Sequence, residues 1–174
     1  MPVSARVLFD WHARPGAFQR LVPPWAPVRL QSFDGIGEGD RAVIRIGPGP
    51  LSLRWVAEHH DVVDGEQFCD RQVSGPFAHW DHTHHMEAVT GGTSRLVDSI
   101  EFALPGGPVG SQVGKWFARP ELERQFAYRH RITRRDLELH QRYSPDGRAL
   151  TIAVSGASGL VGSALTAMLT TGGH

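Results

Sequence analysis

Four histidines fall within the seven residues HWDHTHH at positions 79–85, and imidazoles at this density can bind a metal, move protons or line a pocket. If the segment is a β-strand, its side chains alternate between two faces. His82 and His84 then share one face with Trp80 and Met86, and the other two histidines lie on the opposite face. The apolar neighbours predict that the face of His82 and His84 points into the protein.

The following segment adds a carboxylate to the same interior. By the same alternation, Asp98 shares a face with the apolar residues Ile100 and Phe102. Burying a carboxylate is costly unless it is paired or hydrogen-bonded. A short glycine turn joins the two segments, so Asp98 is expected near His82 or His84, where a charge-assisted hydrogen bond would offset that cost.

An aromatic pocket with a few converging polar groups is typical of small-molecule sites. The preceding strands and a later helix supply further residues of these types. The predicted pocket consists of Trp55, His59, Trp80, His82, His84, Met86, Asp98, Ile100, Phe102, Phe126 and His130. No catalytic residue is assigned among them.

Three interpretations of these histidines compete. As zinc ligands, His82 and His84 would need Asp98 or His59 to complete three or four ligands at about 2.0 to 2.2 Å. As pocket residues, they would hydrogen-bond a polar atom of a mostly hydrophobic ligand. Alternatively, each imidazole is satisfied by a neighbouring side chain or carbonyl group. The aromatic flanking residues favour the pocket, so no metal is predicted.

Six strands and three helices should position this pocket. Residues 28–104 read as six short segments with partial period-two patterning, separated by Gly- and Pro-containing turns, which predicts an antiparallel meander. Two short helical segments precede the strands. A long helix is predicted from Pro120 to Tyr143, and Phe126, His130 and Leu137 fall on its sheet-facing side.

The C-terminal segment changes character. LTIAV at positions 150–154 reads as a strand, and Gly156, Gly159 and Gly162 follow it at a spacing typical of a Rossmann turn that holds a pyrophosphate at a helix N-terminus. A complete site needs further strands and a ribose-selecting residue about 20 positions onward. We therefore predict a ligand-binding domain built from the helices and the sheet at 1–146, and an incomplete Rossmann unit at 147–174. No cofactor is predicted in this chain, and NAD(P) is possible in a longer form.

Composition excludes several classes of function. The 18 basic and 18 acidic residues give a net charge of zero, so the chain has no overall positive field for nucleic acid. The single cysteine, Cys69, permits no internal disulfide and fits a reducing compartment. With neither a secretory leader pattern nor a membrane-spanning apolar run, the sequence predicts a soluble, cytoplasmic protein without membrane insertion.

The segments FDWHARPGAFQRLVPPW, RWVAEHHDVV, FCDRQVSGPFAHWDHTHHME and LVDSIEFALPGG resemble the SRPBCC superfamily, which includes START lipid-transfer domains and polyketide cyclases. More narrowly, they are similar to the ligand-binding domain fused ahead of NAD-dependent epimerases of the extended short-chain dehydrogenase type, often labelled cell-division inhibitors. The resemblance implies an α+β helix-grip fold: a curved antiparallel sheet of six or seven strands, two short helices and one long C-terminal helix, followed here by a Rossmann-like strand and helix.

The leading functional hypothesis is binding of a hydrophobic small molecule between the sheet and the long helix. The alternatives are a cyclase or hydratase that uses His82, His84 and Asp98 as acid and base, and the ligand-binding part of an NAD(P)-dependent epimerase. A third alternative is an interaction module, in which the LTIAV strand pairs with a partner or with a second copy as a homodimer.

Overall fold

The computed structural model describes residues 1–144 and 146–174, and the side chains of all of them except 108–113, 115 and 117. Two short helices come first, and six strands follow them. The strands are β1 (Val28–Phe33), β2 (Arg41–Ile46), β3 (Leu53–Val63), β4 (Gln67–Ser74), β5 (His79–Val89) and β6 (Thr93–Ala103). The helices are α1 (Ala5–Ala13), α2 (Ala17–Leu21), α3 (Gly107–Tyr143) and α4 (Leu160–Thr171), with a 3-10 turn at Gly49–Leu51.

The six strands form one antiparallel sheet in chain order, β1 to β6. Tight turns rich in glycine, such as the one between Val89 and Thr93, connect successive strands, as the patterning predicts. The longest ladder joins β5 and β6, where His84 lies opposite Asp98. The prediction of a curved, six-stranded antiparallel sheet with a long helix is confirmed.

Helix α3 is longer than predicted. It begins at Gly107 rather than at Pro120, which lies inside it. Proline is favoured in a first turn, which is why it reads as a helix start, but an interior proline is tolerated at the loss of one backbone hydrogen bond. The predicted break at 144–149 includes residue 145, outside the described residues. Within the described part of the chain, no helix has the length and apolarity that crossing a bilayer requires.

A buried ion pair holds α2 against α3. Arg20 donates two hydrogen bonds to the carboxylate of Asp136, at 2.7 and 2.6 Å, and the side chain of Asp136 is fully buried. Two parallel hydrogen bonds fix the orientation of both side chains as well as their distance. The short helix α2 is thereby held where its residues Ala17, Phe18 and Leu21 reach the space between the sheet and α3.

The predicted strand at 150–154 is wrong, because residues 148–154 form no strand in the structure. A strand forms only when its backbone pairs by hydrogen bonds with another strand, and none of the described strands pairs with this segment. The helix after it does form, as α4, and packs on α2. Gly16 permits this close approach, since a Cβ there would lie 2.5 Å from the carbonyl oxygen of Ala167. The domain boundary between residues 146 and 147 stays a prediction. The LTIAV strand, which was predicted to pair with a partner or a second copy, is not formed in the structure.

Candidate functional site

A cavity of about 250 Å³ lies between the sheet, α2 and α3, and it is called the central cavity below. Its walls are mostly aliphatic and aromatic. Their apolar part comprises Ala17, Phe18, Leu21, Val28, Phe33, Ile36, Ala42, Ile44, Ile46, Trp55, Ala57, Phe68, Phe77, Trp80, Leu122 and Phe126. The polar part is small: His12, His59, Asp70, His84, Gln125 and Arg129. The volume is just below the range of about 300 to 1,000 Å³ usual for ligand pockets, which indicates a small ligand.

Five of the predicted pocket residues line this cavity: Trp55, His59, Trp80, His84 and Phe126. Trp80 and His84 line it because strand alternation buries the side chains at positions 80, 82, 84 and 86 of β5. Helix α3 contributes Phe126 from the opposite side. The predicted face of β5 is therefore the inner one.

The other predicted residues lie outside the cavity wall. His82 and Asp98 are buried behind it, hydrogen-bonded to each other and within ion-pair distance of the lining residues Asp70 and His84, and His130 reaches Asp98 from α3. Met86 packs in the apolar cluster under α1 instead. Phe102 contacts the rings of Phe77 and Trp80 from behind, and Ile100 is half-buried on β6.

Two carboxylates and three imidazoles form what we call the histidine–aspartate cluster: Asp70, His82, His84, Asp98 and His130. His82 lies at its centre, where Nε2 donates to Asp98 at 2.9 Å and Nδ1 lies 3.1 Å from a carboxylate oxygen of Asp70. His84 lies 2.8 Å from Asp98 through Nδ1, without hydrogen-bond alignment, and 3.4 Å from Asp70 through Nε2. His130 Nε2 donates to the second oxygen of Asp98. Asp98 thus lies beside both His82 and His84, where strand alternation predicted that it would lie near one of them.

The cluster fixes the charge of its buried members. Burial alone would raise the pKa of Asp70, but the neighbouring imidazoles of His82 and His84 outweigh it and hold that pKa well below its usual range. The pKa of Asp98 is likewise lowered, since the neighbouring imidazoles of His130, His82 and His84 outweigh the effect of burial. Burial would lower the pKa of His82, yet its two carboxylate partners raise it. The two carboxylates therefore favour the protonated form of His82 over the neutral one.

Two further histidines offer the cavity an acceptor nitrogen. His12 donates from Nδ1 to the carbonyl of Leu8 at 2.8 Å, and burial, with the nearby charge of His84, lowers its pKa to about 4. His59 is bonded through Nδ1 to the carbonyl of Asp40 at 3.2 Å, and burial lowers its pKa. Because a carbonyl only accepts hydrogen bonds, both imidazoles carry their proton on Nδ1 and leave Nε2 as an acceptor.

An aromatic corner closes one side of the cavity. The ring centroids of Trp55 and Trp80 lie 5.0 Å apart, and that of Phe77 lies 4.8 Å from Trp80. Trp80 also donates from Nε1 to Asp70 at 3.0 Å, which ties the corner to the histidine–aspartate cluster. Across the cavity wall, Phe68 stacks on His84 at 4.3 Å. A flat, apolar group fits against such walls.

Asp70, His82 and His84 also satisfy a geometric condition for a metal site, because one ligand atom from each lies within 4.8 Å of the others. The same atoms, however, already lie at hydrogen-bond distances from one another. A zinc ion would have to replace these hydrogen bonds and find a fourth ligand. In the structure, these three side chains are arranged as an ion-paired cluster.

The glycine turn before α4 has some of the features that a phosphate-binding turn for NAD(P) requires. A Cβ at Gly162 would lie 2.1 Å from the carbonyl oxygen of Gly156, so the tight turn requires glycine at that position. Gly159 precedes the first turn of α4, as a phosphate turn requires. The strand that should lead into the turn is not formed. These residues therefore supply only one part of a dinucleotide site.

The cavity-lining residues that were not predicted include Asp70, His12, Phe68 and Arg129. Asp70 and Phe68 share the inner face of β4, and the signal was the alternation of that strand next to β5. The pattern of α1 does not indicate that His12 faces the cavity. The signal for Arg129 was its position three residues after Phe126, and hence on the cavity side of α3.

Comparison with known proteins identifies the architecture. No protein-family profile matches the sequence, and no curated protein matches it. Among solved structures, the Zhui aromatase/cyclase from Streptomyces sp. R1128 superimposes with a TM-score of 0.64 at 13% identity, over 83% of this chain and 92% of that one. Ara h 8.0201, which is Bet v 1-like, superimposes with a TM-score of 0.52 at 14% identity, over 76% and 91%. The chain has the helix-grip fold.

A nucleoside-diphosphate sugar epimerase from Corynebacterium glutamicum is also similar. It shares 32% identity with a TM-score of 0.80, over all of this helix-grip chain. The chain spans 36% of that protein's length. The likeness includes the segment that carries the glycine turn and α4.

Proposed function

We propose that this chain binds a small, mostly apolar molecule in the central cavity. The observation that carries the proposal is the lining: sixteen apolar side chains surround the space, and six polar residues contribute to it. Burial of apolar ligand surface supplies the affinity, while the acceptor nitrogens of His12 and His59 orient a polar group. The aromatic corner around Trp55 and Trp80 favours a flat ligand.

A cavity-filling variant tests this proposal. Ala57 is buried and lines the cavity on β3, so Ala57→Phe places a ring in the ligand space. The neutral probe 2-naphthamide should bind the unmodified protein with a dissociation constant in the roughly micromolar to millimolar range. Quenching of tryptophan fluorescence measures it, since two of the five tryptophans line the cavity. Ala57→Phe should weaken binding at least about tenfold.

The matched control is Ala88→Phe, which adds the same ring at an exposed position of β5. It should bind 2-naphthamide like the unmodified protein. Saturable binding that Ala57→Phe leaves unchanged would place the probe elsewhere, and absence of saturable binding would also reject the proposal. Thermal melts of all three proteins establish that each variant is folded.

Acid–base catalysis in the same cavity is a second candidate, and one observation favours it. His84 lines the cavity, while Asp98 connects it to His130, whose side chain is 40% exposed. An aldol closure takes a proton from carbon and delivers one to the attacked carbonyl oxygen, so the net proton count is zero. His84 can perform both transfers, and the path through Asp98 to His130 can return it to its starting protonation state.

His84→Gln distinguishes this candidate from binding alone. A 3,5,7-trioxo thioester serves as the probe, because its C2 can attack the C7 carbonyl to close a six-membered ring, and this cyclisation is followed by ultraviolet absorbance. If the cavity is catalytic, His84→Gln lowers the rate by about a hundredfold or more and changes the affinity for 2-naphthamide by only a few fold. A rate for the unmodified protein no greater than that of buffer would reject the catalytic candidate.

We further propose that the helix-grip part is the ligand-binding module of an epimerase-type protein, with domains at 1–146 and 147–174. The likeness to the longer Corynebacterium epimerase and the glycine turn at 156–162 support this assignment. Dinucleotide chemistry would then reside in further Rossmann strands. The helix-grip module would select the molecule on which that chemistry acts.

A further inference from the structure

Arg129 contributes a positively charged side chain to the wall of the central cavity. It projects from α3 beside Phe126, and its Cζ lies 4.8 Å from the centre of that ring. Its Nε is buried and has no hydrogen-bond partner. A buried donor without a partner costs about 1 to 3 kcal/mol, and more when the group is charged. Such a group calls for an explanation, and a ligand that supplies the hydrogen-bond acceptor would be a direct explanation.

Arg129 has no carboxylate partner in the described part of the chain, unlike two other arginines of the helices. Arg20 on α2 is bonded to Asp136, and Arg119 on the exposed side of α3 is bonded to Glu123. Among the residues that the structure describes, no carboxylate lies within ion-pair distance of Arg129. Burial lowers the pKa of Arg129, yet a guanidinium remains protonated at neutral pH. The cavity thus contains a positive charge without a bonded counterion.

A second unpaired donor lines the same space. The indole Nε1 of Trp55 is buried and has no hydrogen-bond partner, whereas the indole of Trp80 is bonded to Asp70. Trp55 lies on the sheet side of the cavity and Arg129 on the helix side. The two donors come from separate elements, so a ligand between sheet and helix can accept from both.

We infer that the ligand carries an anionic oxygen, as in a carboxylate or enolate, which Arg129 binds with support from the indole N–H of Trp55. This inference rests on the proposed function, because it concerns the same cavity. The carboxylate of Asp70 forms no ion pair with Arg129: it accepts a hydrogen bond from Trp80 and lies 3.1 Å from His82 and 3.4 Å from His84. The ligand class is therefore a small aromatic acid or an aromatic compound with an enolisable carbonyl.

A pair of probes of almost equal shape tests the charge. 2-Naphthoate carries a carboxylate where 2-naphthamide carries a neutral amide. The unmodified protein should bind 2-naphthoate on the order of tenfold to a hundredfold more tightly, as a charge-assisted hydrogen bond implies. Arg129→Met should abolish this preference and leave the affinity for 2-naphthamide within about threefold. Trp55→Phe, which keeps a ring and removes the N–H donor, should reduce the preference by several fold.

Arg135→Met is the matched control, because Arg135 is exposed on the same helix. It should keep the full preference for 2-naphthoate. If the unmodified protein binds both probes equally, or if Arg129→Met retains the preference, the inference is overturned while the cavity proposal stands. If neither probe binds, both proposals fail together.

Discussion

Replacing Asp98 by asparagine should lower the free energy of unfolding by about 3 kcal/mol, because it removes one partner of a buried, charged cluster. Asparagine has nearly the same volume, so the loss would come from electrostatics and not from a cavity. His82, His84 and His130 would then face a neutral amide in place of a carboxylate. Urea unfolding at neutral pH measures the change.

Glu101→Gln is the control for Asp98→Asn. It makes the same change of charge at an exposed position of β6 and should alter stability by no more than about 0.5 kcal/mol. Without Asp98, the pKa of His82 should also fall, since one of the two carboxylates that raise it is gone. Titration by NMR follows that pKa. Equal, small effects of the two variants on stability would show that the cluster does not hold the fold.

Stability should fall as the pH drops from about 6.5 towards 4, and His12 should account for a large share of the fall. Its pKa is about 4 in the folded protein, against about 6.5 in the unfolded chain, so the unfolded state binds the extra proton first. At about 1.4 kcal/mol per pH unit, the contribution is roughly 3 kcal/mol. His12→Gln should remove this part of the slope between pH 7 and pH 4.5.

The carboxylates and His82 act at other pH values. The depressed pKa values of Asp70 and Asp98 contribute stability above the unfolded value of about 4, which is lost as the pH falls further. The raised pKa of His82 contributes stability below about 6.5, which is lost as the pH rises through its folded pKa. Stability should therefore be greatest near neutral pH.

His79→Gln controls for the loss of a histidine as such, because His79 is exposed on β5. Its curve of unfolding free energy against pH should run parallel to that of the unmodified protein. Parallel curves for His12→Gln as well would contradict the assignment of the acid slope to His12. Urea unfolding at half-unit steps of pH provides the data for all three proteins.

Strand alternation was sufficient to predict the inner face of β5 and the closeness of Asp98 to His82 and His84. Period-two patterning is a local property, and a short turn fixes which residues of adjacent strands meet. Alternation also puts Asp70 on the same face of β4 as Phe68, but bringing Asp70 opposite His82 requires the register of β4 against β5. The sequence alone does not show that register.

Helical and C-terminal features show a different limit. Arg129 lies in a helix with six other arginines, and composition alone cannot tell which of them turns inward. The LTIAV segment has the composition of a strand, yet strand formation depends on a neighbouring ladder that the described residues do not provide. In both cases the decisive interaction is tertiary, so local pattern gives the wrong answer or none.

The most direct test of ligand binding in the central cavity is an NMR titration of the ¹⁵N-labelled protein with 2-naphthamide. The five tryptophans give five indole N–H signals, assigned with single Trp→Phe variants. The signals of Trp55 and Trp80, which line the cavity, should shift in a saturable way, whereas those of Trp25 and Trp116, which are 40% and 74% exposed, should not. Shifts confined to Trp25 or Trp116, or no saturable shift at all, would contradict the account.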